Sequence, residues 1–526
     1  MKDITRRGAS ALSAAAVLGL ALPTRSQAGD PEAQTSHGRV RGLKAGGVNI
    51  FRGIRYGADT GPARFQAPKP PAPWSSTMAA TAFGAASPQR GNEGRGTEAM
   101  SEDCLFLNVW TPGLRDGARR PVLFYIHGGA YSTGSGSHPL YDGVNLATQG
   151  DVVVVTVNHR INLFGYLYLA REAGGERFTD SGNAGQLDLI LALQWVKANI
   201  AEFGGDPGNV TLFGQSGGGA KIATLSAMPA AKGLFHKMWT MSGQQVTGTG
   251  PLNASKRTRA FLEKLRAAPA DLLAMPSEKL LEGLTAGDPV LGFGGVYVGP
   301  VLDAVNLPRH PFFPDAAPQS RAIPMVIGNT HDETRAFLGG DPHNFELTWD
   351  EVVARLPGEM RVDISPEYVV AEYRRLYPNY SPSDVFFAAS TAGRSWRGAV
   401  EELNARARAG ALTWGYQLNF NSPRDGGRWR AYHTLDIPLV FGNLEAEGSY
   451  TGTSAAAKAT SEAMSGALLA LAKTGNPNHR GMAPWPMYEL ARRPTMTFDG
   501  VSKVENDPRG AERRLFEAVP YVQPGT

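Results

Sequence analysis

The chain of 526 residues contains one cysteine, Cys104. A single thiol excludes any disulfide within the chain. Cys104 lies between Asp103 and Leu105 in an apolar run, which is typical of a buried structural thiol and not of an exposed, activated nucleophile. The cysteine content therefore directs the search for reactive groups to other residue types.

Beyond the N-terminal segment, the sequence has no apolar stretch near the roughly 20 residues that a transmembrane helix needs. It also has no basic stripe with interleaved aromatic residues. Residues 1–28 contribute +3 of the net charge of +4, from four basic residues against Asp3. We therefore expect neither a stable membrane anchor nor a nucleic-acid partner.

Residues 1–28 have the pattern of a signal peptide. A basic stretch, MKDITRRGAS, precedes the apolar stretch ALSAAAVLGLALP. Ser26 and Ala28 then supply small residues at the −3 and −1 positions of a cleavage site. Arg6 and Arg7 indicate the twin-arginine route. We expect cleavage after Ala28 and a periplasmic or extracellular protein; the alternative is a cytosolic protein with a helical N-terminal tail.

Residues 29–526 alternate β-rich runs with helical stretches and are predicted to form a single domain. Strands of continuous apolar character, such as PVLFYI, DVVVVTV and NVTLF, are typical of sheets covered on both faces. The pattern favours an α/β fold with a mostly parallel twisted sheet and helices on both faces. Residues 250–320 and 340–410 are Pro-rich and helical in pattern, so we interpret them as insertions above the sheet.

A G-x-S-x-G motif occupies residues 214–218, between a predicted strand and a predicted helix. That context indicates a nucleophile elbow, in which a strained turn presents the hydroxyl of Ser216. A phosphate loop would need Gly-Lys-Ser/Thr, whereas Lys221 here follows Ala220. The remaining alternative is an ordinary turn at the start of a helix.

A serine nucleophile needs N–H donors for the oxyanion. The sequence HGGA, residues 127–130, follows a predicted strand and matches an oxyanion loop. We choose the N–H groups of Gly129, Ala130 and Gly217 as donors, and assign His127 a packing or hydrogen-bonding role. The alternative is a plain Gly-Gly turn.

The nucleophile also needs a general base and an acid that orients it, which follow the serine in the order acid, then histidine. His433 lies late in the chain after a probable strand, whereas His479 lies in a polar loop typical of a solvated side chain. Asp332 and Glu333 follow a strand between Ser216 and His433. Their positions alone do not choose between them.

Several long segments resemble the type B carboxylesterases, a family that includes the cholinesterases. Among them are SEDCLFLNVWTP, NHRINLFGYL and ALQWVKANIAEFGGDPGNVTLFGQSGGG, and the resemblance covers residues 36–518. It implies an α/β-hydrolase fold with a Ser216–Glu333–His433 triad, with Ser242 and Asp332 close to the His–Glu pair. It implies no cofactor and no metal.

The sequence departs from the family pattern at three places. Gln215 replaces the usual glutamate and Gly217 the usual alanine of the elbow. Ser87 stands where the family has the cysteine that pairs with the equivalent of Cys104. The loop between residues 88 and 103 has no aromatic residue, which makes a choline ester an unsuitable substrate because cation–π recognition needs one.

These features predict a secreted serine carboxylesterase that hydrolyses small-molecule esters through an acyl-enzyme. The alternatives are hydrolysis of a special ester, amide or carbamate by the same triad, or a non-catalytic cholinesterase-like binding module. The oligomeric state is left open. Arg394 and Arg397 could meet an acidic substrate, although a solvated helix face is the simpler use. Five aromatic residues are candidates for the substrate pocket: Tyr131, Phe293, Phe337, Trp396 and Trp414.

Overall fold

The computed structural model describes residues 29–91, 96–360, 362–523 and 525. The predicted signal peptide, residues 1–28, lies outside this part of the chain. From Pro31 onward the chain forms one compact unit. None of the helices in the described residues is long and apolar enough to cross a membrane.

The strands form one large sheet and one small sheet. Their bounds are β1 (Glu32–Thr35), β2 (Gly38–Arg41), β3 (Leu43–Ala45), β4 (Val48–Arg55), β5 (Met78–Ala79), β6 (Phe106–Thr111), β7 (Arg120–Ile126), β8 (Val153–Val157), β9 (Gly205–Gln215), β10 (Lys237–Met241), β11 (Met325–Thr330), β12 (Thr413–Leu418), β13 (Pro494–Phe498) and β14 (Lys503–Asn506).

The large sheet has the strand order β14-β13-β12-β11-β10-β9-β7-β8-β6-β4-β3. Its centre, from β13 to β8, is parallel. Both margins are antiparallel. Strands β1, β2 and β5 form the small sheet. The α/β-hydrolase fold with its mostly parallel sheet is thus confirmed.

Helices cover both faces of the large sheet. Their bounds are α1 (Val144–Gly150), α2 (Asn162–Tyr166), α3 (Ala184–Asn199), α4 (Gly217–Leu225), α5 (Pro251–Leu265), α6 (Ser277–Gly283), α7 (Thr334–Leu338), α8 (Trp349–Met360), α9 (Pro366–Leu376), α10 (Pro382–Thr391), α11 (Arg397–Arg408), α12 (Asp436–Phe441), α13 (Ala455–Thr474) and α14 (Gly510–Glu517).

Strand β7 shows how the sheet is buried on both faces. Successive side chains of a strand point to opposite faces. Phe124 packs into the core on the α3 side. Its neighbours Leu123 and Tyr125 pack into the core on the side of α12 and α13. All three are fully buried, so the continuous apolar run in the sequence reflects burial on both faces.

The segments predicted as insertions pack into two further hydrophobic clusters. Helices α5 and α6 contribute to one cluster, which includes Phe261 and Leu280. Helices α8, α9 and α10 contribute to another, which includes Leu356 and Phe387. Both insertions therefore rest on local packing in addition to their contacts with the sheet.

The single thiol is buried, as expected. Cys104 is completely shielded from solvent and unpaired. Burial raises the pKa of this thiol well above its usual range, which suppresses the reactive thiolate form.

Candidate active site

The candidate site residues follow neighbouring parallel strands at their carboxyl ends. The HGGA loop follows β7, Ser216 follows β9, Ser242 follows β10 and Glu333 follows β11. His433 lies in the longer connection after β12. Parallel strands bring their carboxyl ends to one edge of the sheet, where open α/β folds hold their ligands.

Ser216 sits in a strained turn between β9 and α4. Its backbone has φ 55° and ψ −127°, a conformation that residues with a side chain rarely adopt. Its N–H donates to the carbonyl oxygen of Met241 at 2.7 Å. A Cβ atom at Gly218 would overlap the carbonyl oxygen of Ile126, and one at Gly214 would lie 2.8 Å from the carbonyl carbon of Gly218. Both glycines are therefore required for the turn to pack.

Glu333 and His433 are joined by a hydrogen bond between Oε2 and Nδ1. Glu333 is completely buried, and His433 is 6% exposed. The second carboxylate oxygen, Oε1, accepts the N–H of Thr330 at 2.8 Å and the side-chain amide of Asn329 at 3.3 Å. These bonds fix the carboxylate, and the carboxylate in turn fixes the imidazole.

Asp332 faces a different environment from its neighbour Glu333. It accepts a hydrogen bond from His331 Nδ1 at 2.9 Å and lies near Arg335 and Arg430. Burial alone would raise the pKa of Asp332, but the charges of His331, Arg335 and Arg430 lower it to about 2. The structure thus distinguishes the two carboxylates between which sequence position could not choose. Glu333 is hydrogen-bonded to His433, whereas Asp332 lies next to cationic side chains.

Ser242 lines the same cavity as His433. Its hydroxyl oxygen accepts the N–H of Thr330 at 3.3 Å, the same N–H that donates to Glu333. Its own N–H donates to the carbonyl oxygen of Gly328 at 2.7 Å. Ser242 therefore supports the backbone that holds Glu333.

Ser216 and His433 line one cavity, although no hydrogen bond joins them in the described residues. Instead, the side-chain nitrogen of Gln215 lies 3.2 Å from His433 Nε2. With Nδ1–H directed at Glu333, Nε2 is an acceptor, so the Gln215 amide donates to it. Sequence reasoning had noted Gln215 as a departure but had not foreseen this contact.

The HGGA loop lies against the elbow. Ala130 and Gly217 line the cavity with Ser216, whereas Gly129 is not among the residues that line it. A Cβ at Gly128 would lie 3.3 Å from Ser216 Cβ. Gly128 thus approaches Ser216 closely, and nothing in the HGGA motif itself distinguishes it from Gly129 in this respect.

The side chain of Lys221 links α4 to this loop. Its Nζ donates to the carbonyl oxygen of Ala130 at 2.7 Å and lies 5.3 Å from the centre of the Tyr131 ring. Lys221 is completely buried, and burial lowers its pKa to about 7. In the sequence, Lys221 served only to argue against a phosphate loop, because nothing there indicated which backbone it would reach.

His127 packs within the fold, and no hydrogen bond joins it to Ser216 among the described residues. Its ring stacks on that of His159, with centroids 4.7 Å apart. Burial lowers the pKa of His127 to about 3. The other late histidine, His479, contacts the carbonyl oxygen of Ala463 on α13 and does not line the cavity.

A buried carboxyl group, Asp436, lies close to the Glu333–His433 pair. The hydroxyl of Tyr416 donates to it at 3.1 Å. Burial, together with the charge of Glu333, raises the pKa of Asp436 to about 7. Sequence reasoning missed this residue because it lies at the start of a short helix, α12, without a motif to mark it.

The cavity above Ser216 has a volume of about 390 Å³. Of the aromatic residues proposed to line it, Tyr131, Phe293 and Phe337 do so. The Phe337 ring lies 4.6 Å from that of His433. Among the described residues, no group of His, Cys, Asp and Glu is arranged to hold a metal ion.

Two proposed lining residues lie elsewhere. Trp414 is on β12 and points into the core between the sheet and α12–α13. Successive side chains of a strand point to opposite faces of the sheet, and position 414 lies on the face covered by these helices. Trp396 packs beneath Arg509, whose guanidinium carbon lies 4.5 Å from the centre of the Trp396 ring. The sequence alone does not indicate whether a tryptophan faces the cavity, the core or another side chain.

The two arginines considered for an acidic substrate also differ. Arg397 is buried and pairs with Glu401 at 2.7 Å. Arg394 lines the cavity, and its side chain is 20% exposed. The simpler expectation, a solvated helix face for both, is therefore wrong: Arg397 is enclosed and Arg394 faces the site.

Comparison with known proteins identifies similar chains over nearly the whole length. The sequence profile of the Carboxylesterase family matches residues 29–516. The para-nitrobenzyl esterase of Bacillus subtilis is 36% identical, over 92% of this chain and 98% of its own. The fumonisin B1 esterase of Sphingopyxis macrogoltabida is 32% identical, over 94% and 91%.

A solved structure agrees in both fold and sequence. The carboxylesterase of Geobacillus stearothermophilus superposes with a TM-score of 0.82 and is 38% identical. The match covers 92% of this chain and 99% of that protein.

Proposed function

Since the chain belongs to the carboxylesterase family, whose members are serine hydrolases acting on carboxylic esters, we propose that it hydrolyses small-molecule esters through an acyl-enzyme on Ser216. The observation that carries this proposal is the convergence, in one cavity, of a strained serine turn and the buried Glu333–His433 pair. A serine hydroxyl is a weak nucleophile until such a base activates it.

The first half of the reaction acylates the serine. His433 Nε2 takes the Ser216 proton as Oγ attacks the ester carbonyl. Glu333, bonded to Nδ1–H, holds the imidazole in the tautomer in which Nε2 is the acceptor, and stabilises the cation that forms. The serine proton takes the place of the Gln215 amide hydrogen bond at Nε2. The alcohol then leaves with the proton from His433.

The second half regenerates the enzyme. A water molecule, deprotonated by His433, attacks the acyl carbonyl, and the acid leaves as Ser216 recovers its proton. In both halves the N–H groups of the HGGA loop and of Gly217 stabilise the negative charge on the carbonyl oxygen. Gly217 is the first residue of α4, where helix N–H groups lack intrahelical acceptors and favour negative charge.

The test is covalent labelling combined with kinetics. We expect a fluorophosphonate probe to label Ser216, and Ser216→Ala to lower kcat for p-nitrophenyl acetate by a factor on the order of 10³ or more. Ser502→Ala, in the turn between β13 and β14, is the matched control and retains parent activity. Parent-like hydrolysis by folded Ser216→Ala would contradict the proposal.

We also propose that the protein is exported, with cleavage after Ala28. The support is the basic, apolar and small-residue order of residues 1–28. N-terminal sequencing of protein from a bacterial periplasm is expected to begin at Gly29. Replacing Arg6 and Arg7 by lysine is expected to retain the precursor in the cytoplasm. Uncleaved chain in the cytoplasm of the parent strain would contradict export.

A further inference from the structure

The residues that follow α14 form part of the wall of the candidate active site. Tyr521, Gln523 and Gly525 all line its cavity. The Carboxylesterase family profile matches residues 29–516. The C-terminal segment, defined as residues 518–523 and 525, therefore supplies cavity residues that lie beyond the matched part of the chain.

Gln523 binds the C-terminal segment to the loop after β10. Its Oε1 accepts the N–H of Val246 at 2.8 Å and the hydroxyl of Tyr521 at 3.1 Å. Its side-chain nitrogen donates to the carbonyl oxygen of Gln244 at 3.3 Å. Gln523 is buried, and a buried amide needs partners for both its oxygen and its nitrogen. These bonds therefore hold Gln523, and Tyr521 beside it, in a defined position.

Gly525 contacts a buried ion pair. Its carbonyl oxygen accepts a hydrogen bond from Arg257 Nη1 at 2.8 Å. The Nε atom of Arg257 lies 2.8 Å from Oδ2 of Asp288, and both side chains are almost completely buried. Gly525 has φ 84°, and a Cβ atom there would overlap the ring of Tyr297. Glycine is therefore required for the segment to pack at this point.

Asp288 connects the C-terminal segment to a second part of the cavity wall. Besides Arg257, its carboxylate accepts the N–H groups of Val290 and Leu291 at 2.8 Å and of Tyr297 at 2.9 Å. Leu291 and Tyr297 line the cavity. Separating a buried pair would leave an uncompensated charge, so the Arg257–Asp288 pair holds the two parts of the wall together.

Helix α11 leaves room for Tyr521. A Cβ atom at Gly398, on this helix, would lie 2.8 Å from Oη of Tyr521 and 3.0 Å from Cβ of Gln244. The Tyr521 ring also packs against the hydrophobic core beneath the sheet. The loop after β10, the buried ion pair and α11 thus all contribute to the place that the C-terminal segment occupies.

Building on the proposed esterase function, we propose that the C-terminal segment limits substrate size: Tyr521, held by Gln523, closes one side of the cavity, so that esters with a short chain on that side are preferred. The cavity volume of about 390 Å³ is near the lower end of the roughly 300–1,000 Å³ of small-molecule sites. A long chain on that side would have to displace the segment and break its hydrogen bonds. The segment selects the ester and leaves the chemistry at Ser216 unchanged.

The test compares esters that differ in chain length on one side of the scissile bond. p-Nitrophenyl butanoate and p-nitrophenyl decanoate differ on the acyl side, whereas butyl acetate and decyl acetate differ on the alcohol side. The readout is kcat/KM for the long ester divided by kcat/KM for the short one. The pair whose ratio responds identifies the side of the ester that the C-terminal segment restricts.

We expect Tyr521→Ala to raise this ratio by about tenfold or more for one pair, because the chain gains the space of the phenol ring. Gln523→Ala, which leaves the Val246 N–H without its acceptor, is expected to raise the ratio for the same pair. Tyr368→Ala, at an exposed position of α9, is the matched control and leaves the ratio unchanged. A general loss of structure would instead lower kcat/KM for both esters of a pair.

Two results would overturn the inference. One is a ratio within about twofold of the parent ratio for both pairs in folded Tyr521→Ala, or in Gln523→Ala if Tyr521→Ala does not fold. The other needs no variant: the parent is expected to favour the short ester of one pair by about tenfold or more, and equal kcat/KM values within both pairs would contradict this. The proposed function would survive either result, since it depends on the labelling of Ser216 and on Ser216→Ala.

Discussion

Lys221 Nζ donates a 2.7 Å hydrogen bond to the carbonyl oxygen of Ala130, which links the helix after Ser216 to the loop after β7. The same carbonyl would be overlapped by a Cβ atom at position 217. Gly217 and Lys221 thus act together: the glycine lets the loop approach, and the ammonium group satisfies the carbonyl that comes close. This arrangement explains why position 217 is a glycine.

Gly217→Ala is expected to displace the loop. Its Cβ would lie 2.5 Å from Ala130 Cα and overlap the adjacent carbonyl, so the backbone must shift. Loss of one oxyanion donor lowers kcat by roughly 10²–10³, and we expect a decrease of at least tenfold for p-nitrophenyl acetate. Gly340→Ala, where a Cβ meets nothing within 4 Å, is the control. Full activity in Gly217→Ala would show that the loop tolerates the methyl group.

Lys221→Met is expected to lower kcat with a smaller effect on KM. The variant keeps the length of the side chain but leaves the Ala130 carbonyl without its donor, so the loop N–H groups lose their position. A misplaced oxyanion donor costs catalysis more than substrate binding. Steady-state kinetics on p-nitrophenyl acetate provide the measurement. An increase confined to KM would place Lys221 outside oxyanion positioning.

The stability of Lys221→Met is expected to depend on pH. The ordinary lysine pKa is 10.5, and burial lowers that of Lys221 to about 7. Between these values the unfolded state binds more protons, so this residue makes the parent more stable as pH rises. The variant lacks that rise, so its stability relative to the parent is higher at pH 6 than at pH 9, by up to roughly 3 kcal/mol. Denaturant unfolding at both pH values measures it; equal differences would argue against a buried titrating amine.

Asp436→Asn is expected to show the opposite dependence. The pKa of Asp436 is raised from 3.8 to about 7, so between these values the folded state binds more protons and the parent loses stability as pH rises. Asparagine does not titrate and its side-chain oxygen can still accept from Tyr416. The variant therefore gains stability relative to the parent between pH 4 and 8, by up to roughly 4 kcal/mol. A constant difference in unfolding free energy would exclude titration of this group.

Gln215→Glu is expected to move the acid limb of the kcat/KM profile to higher pH. The Gln215 amide lies 3.2 Å from His433 Nε2, and a carboxylate at that distance favours the protonated imidazole. A larger fraction of His433 is then protonated at low pH and cannot act as the base. The pH–rate profile between pH 5 and 9 is the measurement, with Gln149→Glu on the surface helix α1 as the control. An unmoved acid limb would place the Gln215 side chain away from the imidazole.

The sequence is sufficient to predict the sheet and the turn at Ser216, because apolar runs and glycines encode them locally. Motif order indicates the approximate places of the proposed acid and base. It could not choose between Asp332 and Glu333 by position, since that choice depends on which carboxylate faces His433 and which faces Arg335 and Arg430. Only the family resemblance identifies Glu333 as the expected acid. The family name and the neighbouring folds agree with that resemblance.

Contacts across distant segments account for what the sequence left out. Lys221 reaches a backbone oxygen 91 residues earlier in the chain, and Asp436 is buried by strands and helices from several segments. The alternation of β12 sends Trp414 into the core. Tertiary packing decides such placements, and no short pattern in the sequence records it.

The position of the cavity wall in the chain has an evolutionary consequence. Ser216 and Glu333 follow strands of the sheet. By contrast, Phe293, Tyr297, Arg394 and Ser395 of the cavity wall belong to the inserted segments. Substitutions that reshape the wall can therefore accumulate without disturbing the sheet. New substrate preferences can arise by drift in the insertions while the reaction itself is inherited unchanged.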